Sequence, residues 1–441
     1  MFYRRMPPQT EIAVATSKQA PRRAAIAMFA VLLGSYVINA MDRQLFPLLV
    51  PEVRRQYGFS LSDAGLLSTV FTLGMALAGL PTGYLLSHFS RKTVLQAGIA
   101  LFSACTVLTV MAFGFSDMLI YRAATGVGEA MQLTILLVIA ANYFASYRAV
   151  AVGSINFSFA IGAMISPTLG GALLSVYKSW QAPMVLFGAL GFVAIATISL
   201  TLGSWFTESQ GSANERVDRS GAPTLVNRNT ILLTAMSVIG GFVIYGYLGM
   251  YPAFLRESLR YSPTTTGAVM SLYGLGALGS IGGGWLGDRF SPRPVLGMAF
   301  LFAAVLGFLM FNGSGGVLLQ VMLSFGWGIV VSGIIYVNLA GYHVKSLRST
   351  LASRGSGVFV TSLYGSASVA GYVMGWIATQ GGWAAAGMIQ LSLLSLIAAT
   401  LALALRPDQM SVGARKLEHQ RSSSPVGRCS FPSCGDGPRD K

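Results

Sequence analysis

Charge is scarce in this sequence. Only 10% of its 441 residues are Asp, Glu, Lys or Arg, against roughly 25% in an average soluble domain, which excludes water as the chain's main solvent. Cysteine is nearly absent, with three in all. Cys105 lies in an apolar run, and Cys429 and Cys434 sit in a Ser-, Gly- and Pro-rich tail without the further ligands that a zinc site needs. All three read as inert thiols, so no metal and no cofactor is expected. There is no nucleotide-cradling loop and no nucleophile–base constellation, which argues against an enzyme. The first 23 residues hold Arg4, Arg5, Lys18, Arg22 and Arg23 but no short apolar core, so no cleavable secretory signal is expected.

Apolar residues make up 53% of the chain, arranged in runs of about the ~20 residues that a helix needs to cross a bilayer. The pattern predicts an all-α membrane protein of twelve transmembrane helices. The expected spans are 24–50, 63–86, 93–113, 117–143, 149–174 and 184–205, then 230–254, 265–286, 295–313, 317–341, 356–379 and 383–405. The polar stretch 206–229 has the composition of a flexible linker and separates two six-helix bundles, 24–205 and 230–405. Residues 1–23 form a tail before them, and 406–441 form a basic, Ser- and Pro-rich tail with no apolar face to offset the cost of ordering.

The net charge of +15 takes its meaning from where the bases fall. With the N-terminus inside, the cytoplasmic segments hold 23 Lys and Arg, the outside loops hold Arg54, Arg55, Lys178, Arg256 and Arg260, and Arg43 and Arg122 lie within the membrane. That asymmetry is a topology signal and sets both termini in the cytoplasm. Nucleic acid is therefore not an expected partner. A monomer in a bacterial inner membrane is.

An internal repeat supports the division. Gly83-YLLSHFS-Arg91-Lys92 joins helices 2 and 3, and Gly284-WLGDRFSP-Arg293 joins helices 8 and 9. Duplicated six-helix halves suit alternating access, in which two bundles rock about a site held between them.

Four ionisable residues interrupt apolar helices: Asp42 and Arg43 in helix 1, Arg122 and Glu129 in helix 4. Unpaired charge at that depth costs several kcal/mol or more, so such groups face partners or a water-filled cavity. Glu129 falls near the middle of its helix, and Asp42 roughly 7 Å to the outer side of its own. Arg122, two turns from Glu129 on the same face, is placed to pair with either acid. Asp42 is expected among bases and Glu129 in less basic surroundings, which makes Glu129 the better proton carrier. A buried ionic network that only fixes helix packing is the bland alternative.

Tyr36, Asn39 and Gln132 share these helix faces and can line the same cavity. In the second half the matching candidates are Tyr245, Tyr247, Tyr251, Asn338 and Tyr364. Glycines concentrate in Gly162-AMISPTLGG and Gly365-SASVAGYVMG, where small residues let helices approach closely and Pro167 permits a bend.

These features together resemble the major facilitator superfamily over essentially all of residues 24–405. Gly284-x-x-x-Asp288-Arg289-x-x-x-Arg293 is similar to its cytoplasmic gating motif, whose acid pairs with bases and caps a helix end. The counterpart Gly83…Arg91-Lys92 departs from it, with Ser87 in place of the acid and His88 in place of a base. Arg122-AATGVG-Glu129-Ala130 and Gly162-xxx-Ser166-Pro167-xx-Gly170-Gly171 resemble its helix 4 and helix 5 motifs. Asn39-Ala-Met-Asp42-Arg43 with Gly128-Glu129-Ala130 resembles two branches at once, the anion:cation symporters and the spinster-like lipid transporters. For both, the resemblance implies that Asp42 and Glu129 take up protons and that Arg43 or Arg122 manages their charge. The expected function is proton-coupled symport of a small organic anion. Movement of a lysolipid or drug is the alternative within transport, and a non-transporting receptor or scaffold the alternative of another class.

Overall fold

The computed structural model describes residues 22–144, 147–208 and 221–411. The N-terminal tail, the middle of the linker and the end of the C-terminal tail, with Cys429 and Cys434, lie outside the described residues.

Local signals place the helix starts. Ser60 and Asp63 form a reciprocal capping box, Ser90 accepts from Thr93 N, Asn227 from Thr230 N, and Ser262 from Thr265 N ahead of Pro263 at the first turn. Each side chain satisfies an amide that the helix itself leaves without a partner.

The first bundle holds α1 (Arg22–Tyr57), α2 in three segments (Leu61–Thr69, Phe71–Leu77, Gly79–His88), α3 (Arg91–Val110), α4 (Phe115–Tyr143), α5 (Arg148–Tyr177) and α6 (Gln181–Thr201). The second holds α7 (Arg228–Glu257), α8 in two segments (Pro263–Ala277, Ser280–Arg289), α9 (Pro292–Asn312) and α10 (Val317–Lys345). Its last run begins at Ala352 and reverses at Gly382, whose φ of +80° only glycine adopts without strain. That residue divides α11 (352–381) from α12 (383–403). Among the described residues nine helices are long and apolar enough to cross a bilayer as continuous runs. Splitting the 349–403 run at Gly382 and adding the broken spans α2 and α8 gives twelve.

α1 and α7 run further than the apolar pattern suggested, to Tyr57 and Glu257. Arg54, Arg55 and Arg256, expected in loops, therefore ride on helix ends, because backbone hydrogen bonding continues past the point where apolar side chains stop. The longer α1 also brings Asp42 within about three residues of its midpoint, roughly 4 Å, so the acid is nearer the centre than expected. The C-terminal tail is also held further than expected, with Asn229 Nδ2 donating to Arg406 O at 2.8 Å and Ser411 N to Lys345 O at 2.7 Å.

The bundles meet through α2 against α11 and α5 against α8. At the face away from the chain termini the backbones touch. A Cβ on Gly65 would collide with the Gly371 carbonyl, one on Gly267 with Pro167 O, and one on Gly274 with Met164 N. Thr69 Oγ1 donates across this seam to Ser368 O at 3.0 Å, and the Thr168 and Ser271 hydroxyls meet at 2.6 Å. Toward the terminal face a Cβ on Gly79, Gly83, Gly153, Gly282 or Gly357 would meet nothing within 4 Å. The close approaches between the halves thus gather at the face away from the termini.

Candidate functional site

Halfway along the seam, four charged side chains converge, all at most 5% exposed. Arg43 Nε lies 3.1 Å from Glu129 Oε2, and Arg122 Nη1 lies 3.9 Å from Asp42 Oδ2. Thr106 Oγ1 on α3 donates to Asp42 Oδ1 at 2.8 Å. The Arg122 guanidinium is sandwiched between Phe46 and Phe71, 4.7 and 5.6 Å from their ring centres, where cation–π attraction offsets part of its lost hydration.

Arg122 therefore pairs with Asp42, one of the two partners the spacing allowed. The expectation of less basic surroundings for Glu129 is corrected, since its ion pair is the shorter of the two. Residues 42 and 43 are adjacent but point about 100° apart around α1. Asp42 turns toward α3 and Arg122, and Arg43 turns toward Glu129.

Asn39 Nδ2 donates to Gln132 Oε1 at 2.9 Å and to Glu129 O at 3.3 Å, while Gln132 Nε2 donates to Ser35 Oγ at 3.0 Å. Both amides thus fix α1 against α4 directly beside the charges. Tyr36 lies under Arg43, ring centre to guanidinium carbon 6.0 Å.

Of the second-half candidates, Tyr245 reaches the site. With Gln44, Ser68, Phe71 and Phe159 it walls a small cavity beside Arg43, and its ring stands edge-on to Phe71 at 6.0 Å and to Tyr364 at 5.9 Å. Tyr364 in turn meets the Tyr336 hydroxyl at 3.0 Å. Tyr247 and Tyr251 turn into their own bundle, bonded to Ser324 at 2.7 Å and Gln320 at 2.6 Å. Asn338 donates to Gly283 O at 2.9 Å, where α10 packs on α8. The sequence reading missed Thr106, Gln44, Ser68 and Tyr336. Gln44 and Thr106 left a trace, each as a polar residue interrupting an apolar run.

At the terminal face, Asp288 pairs with Lys345 at 2.6 Å, Arg289 lies 5.9 Å from the Trp285 ring centre, and Arg293 Nε donates to Leu405 O at 2.6 Å. In the first half Lys92 Nζ donates to Leu202 O at 2.6 Å, at the end of α6, and Arg91 to Thr207 O at 3.1 Å, in the short helical turn 204–207 that follows it. Ser87 donates to Tyr84 O at 2.7 Å, within its own helix.

Two bases and two acids leave the central site electrically neutral when all four are charged. Yet Asp42 Oδ2, Arg43 Nη2 and both Glu129 carboxylate oxygens make no hydrogen bond of good geometry among the described residues. Buried groups so placed have unused capacity for a further polar partner.

Residues 32–371 match the sequence model of the Major Facilitator Superfamily. The chain is 27% identical over 237 residues to Protein spinster of Drosophila melanogaster, covering 53% of this chain and 39% of that one. It is 25% identical over 274 residues to a probable L-galactonate transporter of Escherichia coli (58% and 60%) and 23% over 279 residues to the hexuronate transporter of Bacillus subtilis (60% and 64%). The matched stretch thus spans about two fifths to just under two thirds of these relatives' own length. Among solved structures, a bacterial homologue of the human lysosomal transporter spinster, inward-facing and unoccupied, superposes with a TM-score of 0.66 at 18% identity, over 87% of this chain and 96% of that one. The nucleoside transporter NupG gives 0.69 at 12% identity, over 86% and 99%. At these identities the likeness is one of fold.

Proposed function

This chain belongs to the Major Facilitator Superfamily, and on that footing we propose that it carries a small organic anion together with protons by alternating access between its two bundles. The terminal face is taken as cytoplasmic, on the distribution of its bases. On this proposal the state is inward-facing, with residues 24–205 and 230–405 as the bundles that rock and 206–229 as the connection between them.

The observation that carries the reading is the Arg43–Glu129 pair beside the cavity that Tyr245 closes from the other bundle. Asp42 lies near enough to Glu129 to interact with it, so the two acids share one electrostatic environment. With all four groups charged, a bare anion would add net negative charge to a buried site. Once Glu129 takes a proton, Arg43 loses its counter-ion and a substrate carboxylate can replace it, restoring neutrality. Proton and anion thus favour each other's binding, which is the thermodynamic content of symport. In this scheme Tyr245 walls the cavity and Tyr36 backs Arg43, Asn39 and Gln132 hold Glu129, and Asp288, Arg289 and Arg293 with Gly83, Arg91 and Lys92 gate the cytoplasmic side. The likeness to spinster keeps a second reading, carriage of an amphiphile such as a lysolipid.

Proteoliposomes of the purified chain test this, with an acidic exterior and radiolabelled L-galactonate, D-glucuronate or lysophosphatidylcholine. Accumulation of an anion that collapses when a protonophore removes the pH gradient is the expected result. Anion accumulation indifferent to the protonophore overturns the coupling, and movement of the lysolipid alone overturns the substrate class.

A further inference from the structure

At the face away from the termini, the ends of α1 and α7 and the turn after α7 enclose an open cavity of about 600 Å³. Its walls carry Arg54, Arg55, Arg256 and Arg260, four of the five bases that the topology places on this side of the chain. Two acids stand against them. Arg256 pairs with Glu52 at 2.6 Å and Arg54 with Glu257, each pair joining one bundle to the other. Arg55 reaches Glu52 only at 3.8 Å and is 74% exposed. Arg260 has no ion pair among the described residues, and its backbone is left-handed at φ +59°, a conformation that costs a residue with a side chain of order 1 kcal/mol or more. Four bases against the two acids paired with them leave two positive charges uncompensated on the mouth's walls, while the neighbouring Asp63 is turned to its own helix cap at Ser60.

Bases scattered over a surface would create no local field of note. Gathered on the walls of a concave mouth, they focus one and raise the local concentration of the opposite charge. The ion pairs add to this. When the bundles part here, Arg54 and Arg256 lose their glutamates, and an anion already in the mouth can take the vacated positions.

We propose that this mouth is a binding site for small organic anions, holding them on Arg55 and Arg260 in the closed state and on Arg54 and Arg256 as it opens. The proposal rests on the organic-anion reading above, and names where such a solute is first received.

Ser258, exposed between Glu257 and Arg260, offers a probe of the mouth's field that needs neither flux nor sidedness. The full chain carrying Cys105→Ala, Cys429→Ser, Cys434→Ser and Ser258→Cys is purified in detergent. It is then modified with the negatively charged 2-sulfonatoethyl or the positively charged trimethylammonioethyl methanethiosulfonate. Relative to a free thiol, the negative reagent should be preferred about tenfold at low salt, the lower end of what charged clefts achieve. Arg55→Gln with Arg260→Gln should remove most of that preference. D-glucuronate should roughly halve the negative reagent's rate, where D-glucose at matched ionic strength does not. No preference, or one indifferent to the two substitutions, overturns the proposal. Slowing by D-glucuronate no greater than by sodium chloride reduces the mouth to a diffuse field and also overturns it. Failure of anion uptake by the parent chain with normal labelling counts against the transport reading, and normal uptake with failed labelling against the mouth.

Discussion

Thr106 on α3 donates a 2.8 Å hydrogen bond to Asp42 on α1. Asp42 is thereby held by a hydroxyl as well as by Arg122, whereas among the described residues Glu129 has a single ionic partner, Arg43, and no aligned donor. The two acids differ in how freely they can exchange partners. Asp42 is built into the packing of α1 on α3 and α4, and Glu129 faces the one base that also borders the cavity.

Glu129→Gln keeps the side chain's shape and removes its charge. Accumulation driven by a pH gradient should fall to simple equilibration, while exchange of anion across the membrane continues. The variant also leaves Arg43 buried without a counter-ion, which typically costs about 3–5 kcal/mol. An organic anion should relieve that cost, so D-glucuronate should raise the melting temperature of the variant more than that of the parent. Equal shifts in both, or undiminished accumulation in the variant, would count against Glu129 as the proton carrier.

Thr106→Val removes the hydroxyl at nearly constant volume and leaves Asp42 Oδ1 short of a donor. An unsatisfied buried acceptor costs about 1–3 kcal/mol, so detergent-purified variant should melt several degrees lower. Asp42→Asn keeps an acceptor for Thr106 but removes the ion pair to Arg122. It should alter coupling more than folding, read as a changed ratio of protons to anions taken up with normal yield. Loss of the folded protein in Asp42→Asn would instead favour a purely structural role for the cluster.

The pairs Arg54–Glu257 and Arg256–Glu52 join the bundles at a part-buried face, where the cost of desolvation offsets most of the Coulombic attraction and leaves each worth little, about 0.5 kcal/mol. Removing both with Glu52→Gln and Glu257→Gln should leave the fold intact and shift the balance toward the state open at this face. Two such increments amount to roughly a fivefold change in the ratio of states. Reaction of a thiol placed at Ser68, beside the central cavity, with an impermeant reagent applied from outside should speed up by that factor. An unchanged rate would show that the pairs do not latch this face.

The sequence carried the helices and the placing of Arg122 within reach of the two acids, but neither ion pair, because apolar run length and same-face spacing are local quantities. Arg122 and Glu129 share a face of α4, and that alone pointed Arg122 at the acids. It could not show that Arg43 turns from its neighbour Asp42 toward Glu129, since that depends on how α1 is rotated against α4. The three tyrosines of α7 make the same point. Tyr247 lies about 200° around the helix from Tyr245 and only about 40° from Tyr251, so one faces the other bundle and two face their own. Glu52 with Arg256 and Arg54 with Glu257, each some two hundred positions apart, leave no trace in either half read alone.

Gly65 and Gly371 present the sharpest test of the rocking motion, because each would place a Cβ against the other's carbonyl when the face is closed. In a state where the bundles part here the added methyl would have room. Gly65→Ala should thus penalise one conformation and spare the other, unlike a core substitution that strains both. Overpacking typically costs about 1–3 kcal/mol, and a middle value would shift the balance of states by roughly 30-fold. Spin labels on the two bundles at this face should report longer distances, and uptake should slow because closure has become the unfavourable step. Gly34→Ala, where a Cβ meets nothing within 4 Å, controls for the effect of alanine on a helix. Unchanged distances in Gly65→Ala would mean that α2 and α11 yield locally, and the seam would then not be the hinge-closing contact.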